Sequence, residues 1–192
     1  MGHAMKLVIL DRDGTINHDS DDFIKSPEEW EPIPGALAAI AKLNHAGWHV
    51  VVASNQSGLG RGLFDVATLN AVHTKMHKAL AAQGGRIDAI FYCPHTPEDD
   101  CACRKPLPGL FEQIGDRFSM ELKGVPAVGD SLRDAQASAA AGCEPHLVLT
   151  GKGESLRGQP LPVGWPAGTQ VHANLAAFVD ALLARDAAKS SP

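Results

Sequence analysis

Short, almost wholly apolar segments recur along this chain, and each runs into a cluster of polar residues. Leu7-Val8-Ile9-Leu10 leads to Asp11-Arg12-Asp13, and Val50–Ala53 leads to Ser54-Asn55-Gln56-Ser57. Ile87–Tyr92 runs into Cys93, and Val125–Val128 into Gly129-Asp130. Strands apolar on both faces, with helical stretches between them, require a sheet covered on both sides. The pattern therefore predicts an α/β fold with a doubly wound, mainly parallel sheet. Ligands in such sheets bind outside the carboxyl ends of the strands. Polar clusters at four strand ends should thus meet in one crevice.

The periodicity places strands over Lys6–Leu10, His49–Ala53, Ile87–Tyr92, Val125–Val128 and His146–Leu149. Helices are predicted over Gly35–His45, from the Asp65 cap to Ala82, and over Pro108–Arg117, Leu132–Ala141 and Leu175–Ala187. Gly- and Pro-rich chain without assigned structure runs up to Gly168. Residues 5–187 read as a single domain. Met1-Gly2-His3-Ala4 reads as an addition ahead of a natural start at Met5, and 188–192 as a disordered tail. At 192 residues and 44% hydrophobic, the chain is long enough for one sizeable core.

A net charge of −5, no run of Lys or Arg, and 5% aromatic residues argue against a nucleic-acid surface. The longest apolar runs are far short of a membrane span. With no export signal in view, the expected setting is the cytoplasm, with reduced cysteines. A monomer acting on a small molecule is expected.

Asp11 and Asp13 alternate in extended chain, so both carboxylates can point the same way. Two adjacent carboxylates need a cation between them or a proton on one. A hard divalent ion such as Mg²⁺ meets that need. Gly14 allows a sharp turn whose N–H groups can cradle an anion. Ser54, Asn55, Gln56 and Ser57 offer further polar contacts, Lys105 a cation and Asp130 another carboxylate. Asp134, one helical turn on, is placed to orient the site. Each alone has an ordinary structural use; their order at successive strand ends is what signals chemistry.

In that order the chain resembles the haloacid-dehalogenase-like (HAD) phosphatases. The resemblance implies that Asp11 is a nucleophile forming an aspartyl-phosphate and that Asp13 is the general acid/base. It implies phosphoryl contacts from Ser54 and Lys105. It also implies catalytic Mg²⁺ at Asp11, Asp130 and the backbone carbonyl of Asp13.

Cys93, His95, Cys101 and Cys103 fall close together in one polar loop. Cys101 and Cys103 are too near in sequence for easy disulfide geometry, and a Zn²⁺ site is the expectation. Three thiolates and one imidazole would make a closed, electron-rich site, structural rather than catalytic. It would direct Arg104 and Lys105, which follow at once. Cys143 reads as an ordinary buried cysteine.

This loop, with the segments DRDGTIN, NQSGLGRG and CRKP, resembles the D-glycero-D-manno-heptose 1,7-bisphosphate phosphatases, HAD enzymes without a large cap. Only residues 15–34 separate Asp13 from the first helix, enough for a short flap. The resemblance implies substrate contacts from Asp19, Ser20, Asp21, Asp22, Arg104 and Ser131. It implies removal of the 7-phosphate of a heptose bisphosphate in the heptose supply for bacterial lipopolysaccharide. Under the resemblance Arg61 is a plausible contact near the second phosphate, although a loop surface residue is the favoured reading. The alternative is a histidinol-phosphate phosphatase, which shares the DRDGT start and the zinc loop. Asp19, Asp21 and Asp22 would suit its cationic amino alcohol.

Overall fold

The computed structural model describes residues 4–190. Six strands form one sheet: β1 (Leu7–Leu10), β2 (His49–Asn55), β3 (Ala89–Cys93), β4 (Pro126–Gly129), β5 (Glu144–Val148) and β6 (Gln170–His172). Their order is β3-β2-β1-β4-β5-β6, and every pairing is parallel. The helices are α1 (Ala36–His45), α2 (Ser57–Gly60), α3 (Val66–Ala82), α4 (Gly109–Phe118), α5 (Leu132–Ala140) and α6 (Leu175–Lys189).

The reason the strands are apolar on both faces is visible in the packing. Val8, Leu10, Val50 and Val52 point to one side, against Ile40 of α1, Met76 of α3 and Phe178 of α6. Leu7, Ile9, Val51 and Ala53 point to the other, against Leu110 and Ile114 of α4 and Ala137 of α5. Alternate side chains of each strand thus enter separate cores, and polar residues have no place until the strand ends.

Strand order reverses between β1 and β4, which opens the crevice at their carboxyl ends. Leu10 pairs with Val52 on one side and Val128 on the other. Asp11 therefore stands level with Ala53 and Gly129, and Ser54 and Asp130 follow one residue further along the neighbouring strands. The flap is anchored rather than loose. Ile16, Ile24 and Trp30 are buried in the first core, and Lys75 of α3 donates to the carbonyls of Pro27 and Trp30 at 2.7 and 2.8 Å.

Several boundaries differ from the sequence reading. The polar end of β2 stays in the ladder through Ser54 and Asn55, paired with Tyr92 and Cys93. Ser57–Gly60, just after β2, forms a helical turn. The Gly- and Pro-rich stretch contains a 3-10 segment, Gly151–Leu156. The edge strand β6, with three residues, is too short to show a period. The expected disordered tail starts too early: α6 continues through Ala188 and Lys189, both good helix formers. Of the expected leading addition only Ala4 lies within the described residues, as does only residues 188–190 of the tail. Among the described residues no helix is long and apolar enough to cross a membrane.

Candidate active site

Lys105 is the hub of the crevice. It is 2% exposed, and its ammonium donates to Asp11 Oδ1 at 3.0 Å, to Asp134 Oδ1 at 2.7 Å and to the Ala53 carbonyl at 2.8 Å. Three donors meet three acceptors, so the charge is fully used inside the protein. Asn55 aims Lys105 from the main chain: its amide donates to the Lys105 carbonyl and accepts from the Lys105 N–H. The side chain expected to touch the anion lines the cavity and also orients the lysine.

Asp11, Asp130 and Asp134 bring carboxylate oxygens within 4.8 Å of one another. Asp134 is spent on Lys105, on the Asp130 and Ser131 N–H groups and on the Ser131 hydroxyl. Asp11 and Asp130 are less well served. Burial, then Asp134, pushes the Asp11 carboxyl up to about 7 despite Lys105. Burial, then Asp11 and Asp134, pushes Asp130 up to about 9. Two acids that crowd each other in this way fit a hard divalent cation between them. Gly14 is required here twice, since its φ is +81° and a Cβ there would strike the Asp130 carboxylate.

Asp13 is held apart from that cluster. Arg12 Nε and the Asn17 amide both donate to its Oδ1 at 2.9 Å, and the Gln56 amide donates to Oδ2 at 3.0 Å. Burial alone would raise this carboxyl, but Arg12 and the amides outweigh it and hold it below its usual value. Its carboxylate is thus occupied by donors, and only its backbone carbonyl is left as the expected metal contact. Gln56 also donates to the Ser54 hydroxyl at 2.8 Å. Ser54 is buried and does not line the cavity, whereas Gln56 does.

In the polar loop, Cys93 Sγ lies 3.4 Å from His95 Nδ1 and 3.9 Å from Cys101 Sγ, and His95 Nδ1 lies 3.3 Å from Cys103 Sγ. No disulfide forms; all four cysteines of the chain are free. Cys103 Sγ lies 2.9 Å from Cys93 Sγ, closer than two thiolates stand on one tetrahedral zinc; all four donor atoms lie within 4.8 Å of one another, a grouping that could hold a metal ion.

Residues 6–135 match the family model described as polynucleotide kinase 3 phosphatase, and residues 102–176 the HAD-hydrolase-like model. A D-glycero-β-D-manno-heptose-1,7-bisphosphate 7-phosphatase of Bordetella bronchiseptica is 62% identical over 179 residues, 93% of this chain and 98% of that one. The chain belongs to the heptose-1,7-bisphosphate 7-phosphatase family. A family member from Escherichia coli is 38% identical over 79% of this chain and 84% of its own. A crystal structure of the B. bronchiseptica heptose bisphosphate phosphatase, complexed with magnesium and phosphate, superposes with a TM-score of 0.90. That match has 61% identity and covers 94% of this chain and 99% of that one. The chain is accordingly a HAD-type phosphoric monoester hydrolase.

In this family member the crevice opens into a cavity of about 290 Å³ rimmed by cations. Arg61, Arg104, Arg133 and Lys152 line it together with Asp11 and Asp13. Burial, then Arg133 and Arg61, lowers the Arg104 pKa, so the three guanidinium groups feel one another. Among the described residues none of the three forms an ion pair. Arg104 instead donates to the His95 carbonyl at 3.3 Å, tying it to the thiol loop.

Of the expected flap contacts, Asp19, Ser20 and Asp21 line the cavity and Asp22 does not. Asp22 lies instead beside His18 and Lys25, whose ammonium donates to its backbone carbonyl at 2.8 Å. Ser131 and Ser57 line the cavity as expected. Arg61, read as a surface residue, lines it too.

Arg133 and Lys152 were not singled out in the sequence. Lys152 follows β5, and its N–H donates to Asp130 Oδ2 at 2.8 Å while its ammonium meets Asp19 Oδ2 at 2.6 Å. The rule that reactive groups gather at strand ends, applied to the fifth strand, would have pointed to it. Phe23, also in the lining, has φ +66°, strained for a bulky residue.

Proposed function

We propose that this protein removes the 7-phosphate of D-glycero-β-D-manno-heptose 1,7-bisphosphate, in the cytoplasm, as a step toward bacterial lipopolysaccharide heptose. The observation that carries this is the unpaired arginine cluster sharing one cavity with Asp11. A substrate with a second, retained phosphate would satisfy it. The relatives' names supply the sugar. A cationic amino alcohol would meet three guanidinium groups, and Asp19 is already engaged by Lys152, so histidinol phosphate is not favoured.

Asp11 attacks phosphorus, and the ester oxygen leaves with a proton from Asp13. The phosphoryl group then sits on Asp11. Asp13, now a carboxylate, takes a proton from water as that water attacks phosphorus and frees Asp11. In the free protein Arg12 favours the Asp13 carboxylate; the incoming phosphate, an anion, favours its protonated form. Lys105 offsets the charge at Asp11 in both steps. Mg²⁺ held by Asp11, Asp130 and the Asp13 carbonyl would neutralise the meeting of two anions. Zn²⁺ at Cys93, His95, Cys101 and Cys103 would leave no vacancy for water, so its part is to hold the loop that carries Arg104 and Lys105. The working unit is proposed to be a monomer.

Phosphate release from heptose 1,7-bisphosphate and from histidinol phosphate tests the assignment. The bisphosphate should be preferred by orders of magnitude, and the reverse order would reject it. Arg133→Ala should raise KM for the bisphosphate by about 10- to 100-fold, the loss of one charged hydrogen bond. For a monophosphate KM should change little.

The two metals separate in a chelation experiment. EDTA should stop turnover, and Mg²⁺ alone should restore it while zinc stays bound. Cys101→Ser should lower the melting temperature and the zinc content, with no recovery on adding Mg²⁺. Activity that follows zinc in the absence of Mg²⁺ would contradict this division.

A further inference from the structure

Arg12 stands between two aspartates that face the cavity, yet its own side chain does not line it. It is 0% exposed. While Nε donates to Asp13, Nη1 lies 3.1 Å from His73 Nε2. Nη2 is also 2.9 Å from Asp13 Oδ1, at an angle too oblique for a hydrogen bond.

A guanidinium has only donors, so His73 Nε2 must accept, and the ring carries its proton on Nδ1. A proton on Nε2 would set two cations face to face in a buried place. The ring is kept neutral accordingly: burial, then Arg12, pushes its pKa down to about 4. His73 sits on the buried stripe of α3 with Leu69, Val72 and Met76. An apolar residue would pack there as well, but it would leave Nη1 unanswered and the guanidinium free to turn.

We propose that His73 is a positioning residue for the reaction: by accepting from Arg12 it fixes the guanidinium that aims Asp13 at the leaving oxygen. This rests on Asp13 being the acid proposed above. A misaimed acid costs most where the leaving group needs a proton. An alkoxide of a sugar needs one, and p-nitrophenolate does not. A purely structural defect would slow both substrates alike.

The decisive pair is His73→Gln and His73→Asn, read in a single turnover as the rate of alcohol release, the step before Asp13 acts on water, from a sugar phosphate that the wild type hydrolyses and from p-nitrophenyl phosphate. The Gln carbonyl reaches the place of Nε2; the Asn carbonyl stops near that of Nδ1. Asn should lower the single-turnover rate on the sugar phosphate by about 10- to 100-fold, the order expected for a small misplacement. Substrate affinity and the single-turnover release of p-nitrophenolate should change little, and Gln should keep the wild-type ratio of the two rates. Equal losses on both substrates, or Gln and Asn behaving alike, overturn the proposal.

Asp13→Asn separates the two levels. If it lacks the selective loss, Asp13 is not the acid and both readings fall. If it shows that loss and His73→Asn does not, the role of His73 alone falls. Should the Asn variant not fold, Arg12→Lys decides, because an ammonium cannot span Asp13 and His73 at once. It must then show the selective loss for the proposal to stand.

Discussion

Lys105→Met is expected to lower the stability of the protein by about 3–5 kcal/mol and to leave almost no phosphate release. Burial alone would lower the pKa of this ammonium, but Asp11 and Asp134 outweigh burial and hold it charged, above its ordinary value. Methionine fills the same space without the charge. It strands two carboxylates whose separation from water was tolerable only because the cation lay between them. The stability loss is therefore the cost of unpaired buried charge, not of a cavity. The midpoint of urea unfolding measures it, and an unchanged midpoint would show that the ion pair contributes nothing. Turnover is lost for a further reason, since among the described residues Lys105 is the one cation in direct contact with Asp11. The Met variant and an Asp11 variant should thus be equally inactive and oppositely stable.

Asp11→Asn supplies the other half of that contrast. It should cut kcat by at least about 10³-fold, as loss of a nucleophile does in enzymes whose groups act together. In the metal-free protein it should nonetheless raise the melting temperature at pH 8. The sign follows from linkage. Asp11 has a folded pKa of about 7 and Asp130 of about 9, both above the ordinary value of 3.8. The folded state therefore binds protons more tightly than the unfolded one. The stability these acids lend is complete below pH 3.8 and is lost as pH rises through 7 and then 9. Metal-free protein should accordingly melt at lower temperature at pH 8 than at pH 5.5. Mg²⁺ should remove most of that slope, and Asp11→Asn part of it. A melting temperature flat from pH 5.5 to 8 without metal would mean that the carboxylates do not repel as their packing requires.

Much of this centre was legible in the order of residues because its chemistry sits where strands end. Asp11, Asp13 and Asp130 are polar residues next to apolar strands, a contrast that a linear reading detects, and Lys105, in the loop after β3, was legible through the family resemblance. The four thiol-loop donors were legible because their types and closeness admit few uses. What stayed hidden was placement. Asn55 and Gln56 read only as anion contacts; both line the cavity, but one also orients Lys105 and the other also bridges Asp13 and Ser54. Amide direction depends on neighbours distant in sequence, and no local pattern encodes it. Arg12 and His73 are farther from legibility still. A buried arginine is rare, and its partner lies 61 residues away on another element. Arg133, on a helix beside Asp134, looks like any solvated helix residue until the fold turns it toward Arg104. The short strand β6 was missed because three residues carry no period.

The strand order has a consequence for how the protein comes into being. Asp11 is made well before the groups that complete its surroundings, on the strand that ends at the centre of the sheet. Its cation is supplied by residue 105 and its proposed metal partner by residue 130, so until both are made Asp11 is an ordinary carboxylate on an unfinished chain. The reactive centre is assembled only when β4 docks beside β1, joining an earlier segment to a later one. A nascent or truncated chain ending before that strand holds the nucleophile without its environment. Phosphatase activity in this design is consequently a report on completion: the same step that closes the middle of the sheet makes the aspartate competent.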